Sequence, residues 1–81
     1  MAYVYDVLNK LKWGGRLGSC EIVILHRGAP GDRKTVAGGN VTQVRKGHLE
    51  YVNERGEETF IPYHRVLEVR VKGKPVWEKG K

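Results

Sequence analysis

Apolar residues near the start of the chain recur with helical spacing. Four of them stand at positions i, i+3, i+4 and i+7: Val4, Val7, Leu8 and Leu11. This is the apolar stripe of an amphipathic helix that lies on a core. Gly14 and Gly15 follow and are typical of a helix C-terminus. The pattern therefore predicts a short helix over residues 4–13.

After the helix, the pattern changes to short apolar or alternating segments separated by Gly, Pro and Asn. Residues 21–27 form the strongest one, and their β-branched run predicts a central strand covered on both faces. Residues 66–72 alternate between apolar and polar, which is typical of a strand with one buried face. Weaker strands are predicted in five further segments: residues 34–37, 41–45, 48–52, 58–61 and 76–78.

Short connections between successive strands favour antiparallel pairing. The predicted fold class is α+β, with one short N-terminal helix packed on a curved, mainly antiparallel sheet of five or six short strands. In a second arrangement, the helix plugs a small open barrel. With 81 residues, the chain is expected to form a single domain over residues 1–81. So small a core favours a shallow surface site over a deep cofactor pocket, and no cofactor is predicted.

The charge balance is strongly basic. Lys and Arg number 15 against 9 Asp and Glu, which gives a net charge of +6. An excess of this size points to an anionic partner, such as nucleic acid, an acidic protein or a membrane surface, or to a charged surface that only keeps the protein soluble. No apolar run approaches the roughly 20 residues that span a bilayer, and residues 1–6 lack the features of an export signal. No membrane association is therefore expected.

Cys20 is the only cysteine in the chain. It excludes an intramolecular disulfide and favours a reducing compartment, so a cytoplasmic location is expected. Because Cys20 opens an apolar run, we expect it to be a small core residue.

Two segments contain a His-Arg pair and do not fit a plain core. The first reads H-R-G-A-P-G-D-R-K over residues 26–34, and the second reads I-P-Y-H-R-V over residues 61–66. A histidine at a strand end can donate to a phosphate oxygen or act as an acid or base near neutral pH. A neighbouring arginine can grip two phosphate oxygens through its planar fork. The glycine-rich loop of the first segment either presents backbone N–H groups to an anion or is an ordinary turn.

Three further residues help to define the predicted site. Tyr63 lies in the second segment, where it either stacks a base or packs against the edge of the sheet. His48 follows a Lys-Gly turn and is expected to be exposed and outside the site. His26, His48 and His64 match no metal-ligand spacing, and no second cysteine is present, so no metal site is predicted.

The order of these segments resembles a known family. A short helix ends in Lys-Trp, a strand leads into H-R-G-A-P-G-D-R-K, I-P-Y-H-R-V-L-E-V-R follows, and V-W comes last. The family consists of small, mostly archaeal proteins of long uncharacterised function, described as an RNA cyclic-group end recognition domain. The resemblance covers about residues 4–78. It implies a module that binds RNA 3′ ends carrying a 2′,3′-cyclic phosphate or a related terminal phosphate.

The resemblance also implies the site and the partners. Similar domains occur beside RNA-processing modules in larger proteins, so RNA is the expected partner and RNA-processing proteins are further ones. The resemblance assigns RNA-end binding to the polar residues of the two His-Arg segments. The residue analysis adds Tyr63 as a stacking residue. The predicted RNA-binding and phosphate-binding residues are His26, Arg27, Asp32, Arg33, Tyr63, His64 and Arg65.

Other functions remain open at this stage. A phosphodiesterase-like enzyme would use the two segment histidines as general base and general acid to open a cyclic phosphate, although no catalytic residue is assigned and a binding role is favoured. An interaction or structural module would pair Asp32 internally with Arg27, Arg33 or Arg65. General binding to double-stranded nucleic acid is the remaining alternative.

Overall fold

The computed structural model describes residues 3–80, so the first two residues and the last residue of the predicted 1–81 domain lie outside the described part. Helix α1 spans Val4–Trp13, as the sequence predicts, and buries three residues of the apolar stripe: Val4, Leu8 and Leu11. The N–H of Gly14 donates to the carbonyl of Lys10 and closes the helix. Within residues 3–80, no helix has the length and apolar character required to cross a membrane.

The rest of the described chain forms antiparallel strands in two sheets. The strands are β1 Cys20–Leu25, β2 Arg33–Ala37, β3 Val41–Val44, β4 His48–Val52, β5 Glu58–Pro62, β6 Val66–Val71 and β7 Lys74–Glu78. One sheet has the order β2-β1-β6-β7, and the other has the order β3-β4-β5. The predicted α+β class is confirmed. Residues 3–80 contain seven strands, one more than the five or six expected, since the weakly predicted segment 34–37 forms part of β2 and pairs along β1. The strands of this range form two sheets and no closed barrel.

Strand β1 is central in the larger sheet, as predicted. Ile22 and Ile24 point into the core, and Val23 is buried on the opposite face, where its register partners are Thr35 and Glu68. The strand ends at Leu25, two residues earlier than predicted. The predicted end of the strand at residue 27 is therefore wrong, because the chain turns into a loop at His26.

The core lies where the apolar stripe of α1 meets the inner faces of both sheets. Its members are Val4, Leu8, Leu11, Cys20, Ile22, Ile24, Val36, Leu49, Tyr51, Ile61, Val66 and Val69. Cys20 is buried, as predicted, and this burial raises the pKa of its thiol. The chain passes between the sheets twice, once through the turn Gly38–Asn40 and once through the turn Tyr63–Arg65.

The first of these crossings depends on Gly38. This glycine is buried, and a Cβ atom at its position would overlap the carbonyl oxygen of Leu17 and the Sγ atom of Cys20. Only glycine allows the backbone to pass so close to these atoms. The second crossing carries a His-Arg pair and is described below.

Candidate functional site

The strand register brings the two His-Arg segments to the same end of the four-stranded sheet. In the antiparallel pairing of β1 with β6, Ile24 lies opposite Val66. His26 comes two residues after Ile24, and the turn Tyr63–Arg65 comes directly before Val66. Strand β2 also begins at this end. We call this region the motif end and define it by six residues: His26, Arg27, Asp32, Arg33, His64 and Arg65.

The loop of the first segment is closed by its own backbone. The N–H of His26 donates to the carbonyl of Asp32 at 2.8 Å, and the N–H of Asp32 donates to the carbonyl of Ala29 at 2.8 Å. The loop has a positive φ at Gly28 (93°), Gly31 (67°) and Asp32 (55°), which glycine adopts freely and aspartate tolerates. Because Leu25 pairs with Arg33, the bond from His26 to Asp32 extends the ladder by one step. The loop therefore places His26 opposite Asp32, one step beyond the pair formed by Leu25 and Arg33.

The turn of the second segment is tied at several points. The N–H of Tyr63 donates to the carbonyl of Gly47 at 3.4 Å, and its hydroxyl donates to the carbonyl of Arg45. The ammonium of Lys79 donates to the carbonyl of His64 at 2.6 Å. Burial, reinforced by the neighbouring Tyr5 ring, raises the pKa of Tyr63 to about 12. These contacts place the turn, and with it His64 and Arg65, in a defined position between the two sheets.

All six residues of the motif end are exposed. Within the described residues, ion pairs join Arg45 and His48 to Glu50, and Arg70 to Glu68. None of the six motif-end side chains takes part in an ion pair or a side-chain hydrogen bond over the same range. The internally paired Asp32 that the structural-module hypothesis requires is therefore not seen. Three arginines and one carboxylate give this end a net charge of +2 when its two histidines are neutral.

A groove opens beside the motif end. It has a volume of about 420 Å³ and lies between the start of α1, the β3–β4 turn and the turn after β5. We call it the tyrosine groove; its lining residues are Tyr3, Val4, Tyr5, Asp6, Lys46, Gly47, Tyr63 and His64. The ring centroids of Tyr5 and Tyr63 are 6.2 Å apart, and their planes are tilted by 45°. His64 belongs to both regions, so the groove adjoins the motif end at this residue.

Most residues of the groove were missed by the sequence analysis, which singled out only Tyr63 and His64. Tyr3 and Tyr5 fall outside the apolar stripe of the helix, and Lys46-Gly47 is indistinguishable from any other tight turn. The one available signal was the pair of tyrosines on either side of the buried Val4. That signal does not reveal which distant residues the tyrosines face.

His48 lies outside both regions, on the outer face of the three-stranded sheet. It is half-buried rather than exposed as expected, because its ring centroid lies 5.3 Å from that of Phe60 and its Nε2 atom lies 3.2 Å from a Glu50 oxygen. Burial alone would raise the pKa of Glu50, but hydrogen bonds from His48 and Arg45 outweigh it and lower that pKa. Across residues 3–80, no three His, Cys, Asp or Glu side chains form a group that could hold a metal ion.

Comparisons with known proteins find relatives that match most of the chain. The chain is similar to a UPF0248 protein of Thermococcus sibiricus, with 40% identity over 95% of this chain and 85% of the relative. It is also similar to the UPF0248 protein MJ1316 of Methanocaldococcus jannaschii, with 36% identity over 83% of this chain and 79% of the relative. A UPF0248 protein of Pyrobaculum islandicum is 32% identical over 82% of this chain and 75% of the relative. No solved structure matches the chain. Residues 1–79 match the MJ1316 RNA cyclic group end recognition domain, and the chain belongs to this family.

Proposed function

We propose that this protein is an RNA-binding module and that its motif end recognises RNA 3′ ends carrying a 2′,3′-cyclic phosphate or a related terminal phosphate. The description of the family supports a role in RNA binding. The observation that carries the proposal is the pairing of Ile24 with Val66, since it leads both His-Arg segments to one end of a sheet. Both segments can therefore contribute side chains to one binding surface at this end.

Each residue of the motif end has a part in the proposal. Arg27, Arg33 and Arg65 bind phosphate oxygens through their guanidinium groups. His26 and His64 donate to the terminal group. Two further residues act beside them. Asp32 closes the loop with its backbone and offers a carboxylate that accepts a hydrogen bond from a ribose hydroxyl, and Tyr63 supplies an aromatic surface for a base.

A terminal phosphate suits this arrangement better than an internal one. An internal phosphate continues into the chain on both sides, and the flanking nucleotides restrict the access of protein groups to it. A terminal phosphate has no nucleotide beyond it, and an open one has a third non-bridging oxygen, so cations from both the β1–β2 loop and the β5–β6 turn would have room to reach it. The exposure of the motif-end side chains, and their lack of ion-pair partners among the described residues, support this proposal.

The test uses RNA oligonucleotides of one sequence with three 3′ ends: cyclic phosphate, open phosphate and hydroxyl. Binding is measured by fluorescence anisotropy at low and high salt. We expect tighter binding to one phosphorylated end, and we expect that preference to persist at high salt. Equal binding to all three ends, lost as salt rises, would mean that the net charge of +6 alone attracts RNA.

Variants then test the site itself. His64→Ala and Arg65→Ala together are expected to abolish the preference for the phosphorylated end. The control is Lys74→Ala, which removes one positive charge from the opposite end of the sheet, where Lys74 pairs with Val71. Unchanged end preference in the double variant would overturn the site. Recovery of RNA with an opened cyclic phosphate would instead show that the protein is an enzyme.

A further inference from the structure

The tyrosine groove has the size and lining of a site for a small aromatic group. Its volume of about 420 Å³ falls within the roughly 300–1,000 Å³ of small-molecule sites. Val4 forms a buried apolar part of its wall, and the rings of Tyr5 and Tyr63 lie 6.2 Å apart beside it. Tyr3 is 78% exposed at the same place, although it is a large aromatic residue. An apolar aromatic face is thus left open to solvent next to the basic motif end.

One aromatic wall of the groove is already held in place. The hydroxyl of Tyr63 donates to the carbonyl of Arg45, and its N–H donates to that of Gly47. The ring therefore needs little ordering when a ligand arrives, which favours binding. Tyr5 is half-buried against it and presents a second aromatic surface.

Charges along the groove determine how a ligand would lie in it. Lys46 and His64 line the groove, and His64 also belongs to the motif end. Asp6 lines the groove as well, at the start of α1, and its carboxylate repels phosphate. An anionic group is therefore favoured toward Lys46 and His64, and a neutral group with hydrogen-bond donors is favoured near Asp6. A nucleotide has both parts, a phosphate and an aromatic base with N–H donors.

We propose that the tyrosine groove holds the base of the 3′-terminal nucleotide while its phosphate lies at the motif end. The proposal rests on the proposed function, because it assigns the base of the same RNA end. Tyr5 and Tyr63 stack on the base, and Lys46 adds a contact to phosphate. Such stacking accepts any base, since every base has a π-face. The protein thereby recognises an end nucleotide as a whole rather than a free phosphate.

The experiment compares four RNA oligonucleotides of one sequence. Two end in a 2′,3′-cyclic phosphate, with the terminal base either present or replaced by an abasic ribose. The other two end in a hydroxyl, again with and without the base. We expect removal of the base to weaken binding of the phosphorylated RNA between about five-fold and about 150-fold, the range of base–aromatic stacking. Equal affinity for the two phosphorylated RNAs, with their preference over hydroxyl ends intact, would overturn this inference alone. Loss of that preference would overturn the proposed function.

Protein variants locate the effect in the groove. Tyr5→Leu removes the ring but keeps an apolar side chain, so we expect it to bind base-containing and abasic ends almost equally. Trp13→Leu is the matched control, because Trp13 is an exposed aromatic residue at the other end of the same helix. A Tyr5→Leu protein that still discriminates against the abasic end as strongly as the wild type would place the base elsewhere and overturn the proposal.

Discussion

Tyr63 connects three parts of the molecule through a single residue. Its N–H and hydroxyl bond to the β3–β4 turn, its ring lies against Tyr5 of the helix, and its backbone begins the turn that carries His64 and Arg65. A change at Tyr63 therefore acts on the position of the second His-Arg pair as well as on packing. The contacts of this residue matter to the proposed site even where no ligand touches it.

Alkaline pH provides a test of the environment of Tyr63. Its pKa of about 12 in the folded protein lies above the ordinary value of 10.0, because burial disfavours the charged form. The folded state therefore holds the proton more tightly than the unfolded state. The resulting stability is complete below pH 10 and is lost as the pH rises through about 12. We expect the free energy of unfolding from urea titrations to fall over this interval, and to fall less in Tyr63→Phe. An identical alkaline loss in both proteins would contradict this explanation.

Gly38 offers a test of close packing. A methyl group at this position would overlap the Leu17 carbonyl and the Cys20 sulfur, which lie directly against Gly38. We expect Gly38→Ala to lower the free energy of unfolding by about 1–3 kcal/mol or more. The control is Gly18→Ala, since a Cβ atom at Gly18 meets nothing within 4 Å. Equal stability of the two variants in urea denaturation would refute the close approach.

At the scale of elements, the β1–β2 loop is shaped by its backbone more than by its side chains. Its backbone hydrogen bonds join His26, Ala29 and Asp32 within the loop itself. Three positive φ angles are needed to close it. The side chains of Arg27 and Arg33 are left exposed, so the loop is a rigid support for charges that face solvent.

Gly31→Ala tests the importance of this backbone shape. The φ of 67° at Gly31 is costly for alanine, whereas the space around it is empty, so the effect comes from the backbone and not from a clash. We expect a loss of about 1–2 kcal/mol in stability and weaker binding to phosphorylated RNA ends. Asp32→Asn serves as the comparison, because asparagine tolerates a positive φ and should leave the fold stable. If calorimetry shows that Gly31→Ala is as stable as the wild type, the loop does not need its left-handed turn.

For the whole molecule, the motif end is one of several places where exposed cations lie, and it combines three arginines with a single carboxylate, Asp32. Glu50 and Glu68 form ion pairs with residues outside the motif end. With neutral histidines, the three arginines and Asp32 give the motif end +2 of the net charge of +6. We expect its exposed arginines to attract the phosphates of an approaching RNA.

The salt dependence of RNA binding measures how many phosphate contacts the motif end makes. For single-stranded nucleic acid, each phosphate neutralised changes the slope of log affinity against log salt by about 0.7. We expect Arg27→Ala and Arg65→Ala each to reduce the slope by about that amount. Lys74→Ala, at the opposite end of the sheet, should leave it nearly unchanged. Equal reductions of the slope in all three variants would indicate that RNA is attracted by the overall charge of the protein and does not contact the motif end specifically.

Local periodicity was enough to predict the helix, because Val4, Leu8 and Leu11 needed only their spacing to define its buried face. Strand positions followed from alternation in the same way. The division into two sheets was not predicted, since it depends on which distant strands pair. The end of β1 was placed two residues too late, because His26 continues the alternation although its backbone already bonds within the loop. The candidate residues of the motif end were found by their chemistry, whereas Tyr5 and Lys46 come from separate elements and carry no pattern of their own.

The pairing of β1 with β6 also has a consequence for the order in which the protein becomes functional. Ile24 and Val66 stand about forty residues apart, so their contact closes a long loop and forms late compared with local hairpins. During synthesis, the motif end cannot assemble until most of the chain has left the ribosome. A nascent chain therefore carries its two His-Arg segments apart, and the proposed site requires that β6 has been synthesised.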